Sequence, residues 1–182
     1  MSSKKYLSDY RIEETTDTKG RIRSEAVYIG GDYILSPPVS TGEKRLIICL
    51  SVLTWLAFIG ALIPVTNAAR LTHVMLPFVF SALSMYFVTG SAATLLSVKE
   101  IMIREKAEKI AKRLPPSSII TAILSLASLI ALLVTAIISW DSIAASDIIF
   151  AVLVLVISLS SATIFYKCRK LKAKKVEPPE SD

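Results

Sequence analysis

Few side chains of this chain belong to the types that carry out catalysis or bind metals, and their spacing supports neither role. His73 is the only histidine, and no nucleophile or metal-ligating cluster accompanies it. Asp141 and Asp147 flank a short connection, where Asp147 can serve as a helix N-cap without any further role. Cys49 and Cys168 are too few and too far apart for a disulfide framework or a zinc site.

The sequence motifs of the common enzyme classes are also missing. The sequence contains no Gly-rich phosphate loop, Cys-x-x-Cys pair, His-Glu-x-x-His zinc helix or Gly-x-Ser-x-Gly elbow. Gly30 and Gly31 follow a strand-like stretch, but no helical pattern follows them as nucleotide binding requires. We therefore expect a protein that is not an enzyme and that uses no cofactor or metal.

Four apolar stretches determine the predicted fold. Residues 46–65, 74–98, 119–139 and 148–166 each approach the ~20 apolar residues that cross a bilayer. A backbone in lipid must satisfy its own hydrogen bonds, so each stretch is expected to be helical. Apolar residues make up 53% of the chain, which a bilayer explains better than a soluble core does. The sequence predicts an all-α membrane protein with a four-transmembrane-helix bundle.

The interiors of these stretches contain no Asp, Glu, Lys, Arg or His. Proton relays, ion pathways and coupled transporters usually depend on such residues within the membrane. The sequence therefore disfavours buried proton or ion chemistry.

Basic residues predict the orientation, because Lys and Arg near membrane spans favour the cytoplasmic side. They cluster before the first stretch, between the second and third, and after the fourth, whereas the other two connections carry only Arg70. We expect both termini and the central loop in the cytoplasm, at a bacterial plasma membrane. The first forty residues have no apolar segment, so we expect no cleavable signal peptide and insertion through the first span.

The predicted organisation has three parts. Residues 1–43 form a cytoplasmic segment, residues 44–167 the transmembrane bundle, and residues 168–182 a basic and then acidic tail. Within the first part, Tyr10 to Leu35 alternates as strands do, interrupted by turn-forming residues at 17–20 and 30–32. This pattern predicts a small β-hairpin or a three-stranded meander, which is marginally stable unless it packs against another element.

The residue pattern from 99 to 114 predicts a cytoplasmic helix, which could be continuous with the second span. Three Glu residues precede Lys or Arg by four positions, which supports an exposed helix. An apolar face that includes Ile110 and Leu114 could lie on the membrane, on the hairpin or on a second copy. Pro115 and Pro116 predict the end of this helix, with Ser117 or Ser118 capping the third span.

Small and hydroxyl residues predict where the spans touch, because they allow helices to approach closely in lipid. The third span has a stripe of hydroxyls on one face, which could instead border a polar pathway. The candidate packing residues are Gly90, Ala93, Thr94, Ser97, Thr121, Ser125, Ser128, Thr135, Ala151, Ser158 and Ala162.

The net charge of +6 lies on segments next to the membrane, so we expect anionic lipid rather than nucleic acid as its counterpart. The candidate lipid contacts are Lys167, Arg169, Lys170, Lys172, Lys174 and Lys175. The leading hypothesis is an accessory or scaffolding subunit that meets lipid and another membrane or cytoplasmic protein. The alternative is a small transporter or channel, and either could form a homo-oligomer.

Overall fold

The computed structural model describes residues 3–16, 22–63, 71–97, 101–138 and 144–176. A 3-10 helix at Ser3–Asp9 leads into strands β1 (Tyr10–Thr16), β2 (Ile22–Tyr28) and β3 (Tyr33–Ser36). Four helices follow, α1 (Thr41–Leu62), α2 (Thr72–Ser97), α3 (Arg104–Ile138) and α4 (Ala145–Cys168), before strand β4 (Lys172–Lys175).

The four helices form a bundle, and each is long and apolar enough to cross a membrane. Each helix contacts the next, and α4 closes the bundle against α1. Among the buried residues of α2, one series alternates spacings of four and three, as residues at the seam of a helical bundle do. The series is Val74, Phe78, Ser81, Met85, Val88, Ala92 and Leu95, and Ser84 and Ser91 are buried beside it. The predicted four-helix bundle is confirmed.

Polar residues fix the starts of two helices. At α1, the amide of Glu43 donates to Ser40 Oγ and the amide of Ser40 donates to Glu43 Oε2, both at 3.2 Å. This reciprocal pair is a capping box. At α4, the amide of Ala144 donates to Asp147 Oδ2 at 3.0 Å, so Asp147 lies three residues inside the helix end. The prediction that Asp147 is itself the N-cap is therefore wrong.

Helix α3 runs through Pro115 and Pro116, so the predicted helix end at these prolines is wrong. Two intrahelical hydrogen bonds are lost there because proline lacks an amide proton. Packing compensates on both sides, since Ile110 and Leu114 before the prolines and Ser118 after them are fully buried. The Ser118 hydroxyl also donates to the Pro115 carbonyl at 2.9 Å instead of capping a new helix.

The predicted continuity of this helix with the second span is likewise wrong for the part of the junction that the structure describes. Residues 101–103, directly before α3, are not helical, and Met102 pairs with Tyr33 as in an antiparallel sheet. The central helix therefore belongs to the third span.

The strands form two separate two-stranded sheets. β1 and β2 pair as an antiparallel hairpin with Tyr10 opposite Tyr28, which confirms the hairpin alternative. β3 pairs instead with β4, with Leu35 opposite Ala173, so the meander alternative is wrong. Met102 exchanges both backbone hydrogen bonds with Tyr33, at 2.9 and 3.0 Å, along the other edge of β3. β3 therefore lies between segments from two distant parts of the chain, β4 and the residues before α3.

Two apolar clusters fill the interior. The first, called here the near cluster, joins Leu35 of β3 and Leu171 before β4 to all four helices, including Ile47, Leu95 and Ile110. The second, called the far cluster, lies at the other end of the bundle. Its centre is aromatic: the Phe78 ring stacks on Phe58 with centroids 4.6 Å apart and contacts Phe150 at 5.1 Å. The small sheet β3–β4 is thus part of the bundle's own core.

Candidate functional site

The strands, the 3-10 helix and the first turns of α3 (residues 104–114) form one end of the molecule, called here the cap. Glu108 on α3 is the centre of its polar network. Its carboxylate accepts from Arg104 Nε at 3.1 Å, from Lys112 Nζ at 3.0 Å and from Tyr6 Oη at 3.3 Å. The spacing of four residues places both cations beside Glu108 on the helix. Tyr6 adds a contact from the N-terminal segment.

Arg104 also ties the 3-10 helix to α3. Its Nη1 lies 3.5 Å from Asp9 Oδ1, and the side chain of Asp9 is only 10% exposed. Within the described part of the chain, the second carboxylate oxygen of Asp9 is buried without a hydrogen-bond partner. The amide of Ile29 donates to the Asp9 carbonyl at 2.8 Å and thereby extends the hairpin ladder by one pair. Asp9 is therefore the point where the hairpin base meets α3.

Tyr28 secures the other strand of the hairpin. Its hydroxyl donates to the Gly31 carbonyl at 3.0 Å and accepts from the Arg104 amide at 2.9 Å, which is the first amide of α3. Burial raises the pKa of Tyr28 above its usual value, while the Arg104 amide acts in the opposite direction. A Cβ added at Gly30 would lie 2.7 Å from Asp9 Cβ and from Tyr28 Oη, so this junction requires glycine.

The polar groups of this network contact one another and the backbone of the cap. Among the described residues, no group of three or more His, Cys, Asp or Glu side chains could hold a metal ion. The Glu108 carboxylate and the Tyr28 hydroxyl bind protein groups. We infer that this site holds the N-terminal segment and the hairpin base on α3.

The candidate packing residues of α3 lie in the bundle interior or at its margin. Thr121, Ser125 and Ser128 are fully buried, and Thr135 is half-buried. On α4, Ser158 is buried, whereas Ala151 is half-buried against the far cluster and Ala162 is exposed. The structure therefore brings Ser158 and the hydroxyls of α3 together.

The candidates on α2 lie elsewhere. Gly90, Ala93 and Ser97 are exposed, and Thr94 is half-buried with its hydroxyl on the Gly90 carbonyl. A Cβ added at Gly90 would meet nothing within 4 Å. Within this monomer, α2 packs through a different face, and the serines on that face are Ser81, Ser84 and Ser91.

Hydroxyl groups join the helices directly along this face. Ser84 Oγ lies 2.8 Å from Thr121 Oγ1, and Ser128 Oγ donates to the Val74 carbonyl at 2.8 Å. Ser158 Oγ donates to the Ala122 carbonyl at 3.3 Å, which connects α4 to α3. The spacing of three and four residues along α2 is the sequence signal that would have identified Ser81.

The interface between α1 and α2 has its own polar contact, which residue spacing in the sequence did not indicate. Trp55 Nε1 donates to Thr89 Oγ1 at 2.7 Å, and Thr89 in turn donates to the Met85 carbonyl at 3.0 Å.

On the outer surface, α2 and α3 leave a groove of about 410 Å³ with apolar walls. Its walls include Leu76, Phe80, Leu83, Phe87 and Ile120.

The basic tail is a strand, and the sequence analysis did not identify it as one. Lys172, Lys174 and Lys175 lie on β4, where Ile34 and Ser36 are the partners of Lys174 and Lys172. Lysine is uncommon in strands, so local propensity did not indicate this pairing. The lysine side chains are nevertheless exposed, and Ala173 between them packs on the near cluster.

The other candidate lipid contacts lie at the end of α4 and just beyond it. Lys167 Nζ is 3.9 Å from Glu43 Oε1, a long ion pair between α4 and α1. The guanidinium of Arg169 lies 4.4 Å from the ring centroid of Tyr166, which is a cation–π contact. Lys170 is exposed. The six candidates therefore all belong to the cap end of the molecule.

The residues first considered for chemistry are dispersed. His73 has its Nε2 3.0 Å from Thr135 Oγ1, and this pair connects α2 to α3 near their far ends. Cys49 is exposed and Cys168 is buried, and both are free thiols. Asp141 lies outside the described residues.

Comparison with known proteins adds no independent assignment for these residues. Searches against protein-family models, curated proteins and solved structures find no match.

Proposed function

We propose that the protein is a multi-pass integral membrane protein of the plasma membrane, with the cap and both termini in the cytoplasm. Four helices of sufficient length and apolarity support insertion. The orientation is supported by the basic residues, because those of α1, α3 and α4 are concentrated at their cap ends. A bundle whose outer face carries exposed Leu, Ile, Val and Phe side chains is suited to lipid rather than water.

Cysteine labelling tests this orientation. Lys106 on the cap and Thr72 at the other end of the bundle are both exposed, and each can be replaced by cysteine in a Cys49→Ala background. In intact cells, a membrane-impermeant thiol reagent should label Thr72→Cys and leave Lys106→Cys unlabelled until the cells are opened. The reverse pattern would refute the orientation, and labelling of both in intact cells would refute the proposed membrane position of the cap.

Within the membrane, we propose that the protein acts as an accessory or scaffolding subunit that works through contacts. The near cluster carries this proposal, because it makes β3, β4 and the inner half of the bundle one continuous core. A cap built into the core is held at a fixed distance and orientation from the bundle. Such an arrangement is suited to presenting a surface to a partner, and the Glu108 carboxylate is engaged by Tyr6, Arg104 and Lys112.

The surface offered by the cap is partly apolar. Leu7 and Ile29 are 63% and 58% exposed, although they lie on the cap, away from the lipid-facing helices. Large apolar side chains exposed outside the lipid-facing part of a protein are candidates for contact with another protein. The groove between α2 and α3 offers a second contact surface, at the level of the membrane.

Site-specific photocrosslinking in native membranes tests the accessory role. A photoreactive amino acid at Leu7 and another at Ile29 should crosslink the same distinct protein, which mass spectrometry would identify. The matched control is Ile63, which is 76% exposed at the far end of α1 and should not crosslink that protein. Failure of both cap sites to crosslink any protein, or an equal yield from Ile63, would contradict a role that depends on the cap.

Anionic lipid is the second contact that we propose for the cap. Lys172 and Lys174 point away from the core side of β4, and each basic residue near an anionic leaflet contributes about 1 kcal/mol. Replacing both with Gln should reduce retention of anionic lipid by the purified protein, as native mass spectrometry can measure. Lys106→Gln with Glu105→Gln is the control, because it removes charges of both signs and leaves the net charge unchanged.

The transporter alternative has less support, because the hydroxyls that would line a pathway are used by the bundle. Ser125 donates to carbonyls of its own helix, and Ser128 and Ser158 donate to carbonyls of neighbouring helices. Solute flux in liposomes that contain only this protein, lost on Ser125→Leu, would favour the alternative instead.

A further inference from the structure

No described strand pairs with the outer edge of β1, and the hydrogen-bonding groups of that edge can be assigned. In an antiparallel ladder, opposed residues alternate between pairs that exchange hydrogen bonds and pairs that do not. The Ile29 amide donates to the Asp9 carbonyl, so the pair of residues 9 and 29 is a bonded one. Continuing the register, Arg11 and Glu13 bond toward β2, whereas the amide and carbonyl of Ile12 point away from it. Within the described chain, β2 is the only strand that pairs with β1.

This outer edge is complementary to itself. If a second copy of β1 adds in antiparallel orientation with Ile12 opposite Ile12, the two Ile12 residues exchange backbone hydrogen bonds across a two-fold axis. Arg11 then lies opposite Glu13 of the second copy, and the axis produces the same pair again. Opposite charges directly across a strand pair stabilise that register. The edge of β2 offers a comparable register about Ser24, in which Arg23 would lie opposite Glu25, but its central residue is a polar serine, whereas the centre of the β1 register is the exposed, apolar Ile12.

Exposure and stability favour the same arrangement. Ile12 is 74% exposed, an unusual position for a large apolar residue in the middle of a strand outside the bundle. It shares one face of the hairpin with Tyr10, Ala26 and Tyr28. A two-stranded hairpin is marginal in water, whereas more strands with a common apolar face are stable. Two hairpins joined along β1 form a four-stranded sheet and remove the open edge.

We propose that β1 is a dimerisation edge, on which a second copy of this chain pairs antiparallel about Ile12. The partner in this case is the same protein, and the contact uses the outer edge of β1. The inference rests on the proposed contact role of the cap and names one of its partners.

Charge exchange tests the register. Arg11→Glu makes both charges negative and Glu13→Arg makes both positive, so either variant alone should dimerise about tenfold more weakly than the wild type. Mixed together, the two variants should recover dimers, because each Glu then faces an Arg. The measurement is copurification of differently tagged copies from mild detergent, with the mass of the assembly from light scattering. Lys106→Glu, on an exposed part of α3, is the control and should dimerise as the wild type does.

Proline substitution tests the direction of the backbone groups. The Ile12 amide points outward, so Ile12→Pro should abolish dimerisation and preserve the hairpin. The Glu13 amide points toward β2, so Glu13→Pro should disrupt the hairpin itself. Hydrogen exchange of residues 22–28 distinguishes the two results. A wild type that is monomeric in detergent and in nanodiscs, or a mixture of charge variants that fails to pair, would overturn the proposal.

These outcomes separate this inference from the accessory role. A monomer whose Leu7 and Ile29 sites still crosslink a distinct protein would refute the dimer and support the accessory role. A dimer with the expected charge dependence, but without a crosslinked partner, would support the edge pairing and refute the accessory role.

Discussion

The two small sheets of the cap differ in what holds them in place. The hairpin β1–β2 has seven residues in each strand, yet its described contacts with the rest of the molecule are concentrated at its base, through Asp9 and Tyr28. The sheet β3–β4 has only four residues in each strand, but Leu35 is 7% exposed and packs in the near cluster. Burial, rather than strand length, distinguishes the fixed sheet from the projecting one.

The difference shows how the cap can combine a rigid part with an accessible part. β3 pairs with β4 on one side, and on the other side Tyr33 exchanges both backbone hydrogen bonds with Met102. β1 has an outer edge that no described strand covers. The hairpin is therefore available for contacts, and β3–β4 anchors it to the bundle.

The strongest test of this comparison removes apolar side chains from each sheet. Leu35→Ala should lower the free energy of unfolding by about 2–5 kcal/mol, because it leaves a cavity in the near cluster. Ile12→Ala, at an exposed site of the hairpin, should change it by less than about 0.5 kcal/mol. Thermal unfolding of the detergent-purified protein, followed by circular dichroism, measures both. Equal effects would show that the two sheets are anchored alike.

The hairpin base can be loosened by adding one methyl group. Gly30→Ala should cost about 1–3 kcal/mol, because its Cβ would overlap Asp9 and Tyr28. Gly90→Ala is a matched control, since a Cβ there meets nothing within 4 Å and alanine favours the helix. Gly30→Ala should destabilise the protein and Gly90→Ala should slightly stabilise it. Thermal midpoints shifted in the same direction would contradict this account.

The Glu108 network should make a smaller contribution. Glu108→Ala removes the acceptor shared by Arg104, Lys112 and Tyr6. The Arg104 and Lys112 side chains are partly exposed, so water can hydrate their charges when the carboxylate is removed. We expect a loss of about 1 kcal/mol, confined to docking of the N-terminal segment. Hydrogen exchange of residues 6–13 should accelerate, while that of β3 should not. Glu105→Ala, at an exposed site of the same helix, should leave both unchanged.

The smallest effect concerns pH. Because the pKa of Tyr28 is raised by burial, its neutral form favours the docked hairpin. This contribution is complete below about pH 10 and is lost as the pH rises through the raised pKa. The difference in ultraviolet titration between the wild type and Tyr28→Phe should show a tyrosine that ionises above the usual value. A difference curve centred at or below the usual value would contradict the burial of Tyr28.

Local patterns in the sequence predicted one sheet and missed the other. The hairpin follows from alternation and a turn within a short stretch of residues. The pairing of Ser36 with Lys172 joins residues more than a hundred positions apart, and the lysine-rich β4 has low strand propensity. Single-sequence patterns hold no information about such a contact, so the sequence predicted a basic tail where the structure has a strand.

The helices show a similar limit. Their number and approximate positions follow from apolar length alone. The face of α2 that packs in the bundle is marked by the spacing of Ser81, Met85 and Val88, whereas small size alone pointed to Gly90. Proline usually ends a helix, but α3 continues through Pro115 and Pro116. The buried residues on either side of the two prolines stabilise one continuous helix.

The pairing of β3 with β4 also has a consequence for synthesis. β3 leaves the ribosome before any of the four helices, whereas its partner is made after the last of them. At usual elongation rates β3 waits on the order of ten seconds or more, with Leu35 uncovered and both strand edges open. Only a chain that has completed α4 can close this sheet. The sheet β3–β4 can therefore form only after all four helices have been synthesised. In a chain truncated before β4, β3 would lack its partner strand and would be accessible to proteases and chaperones.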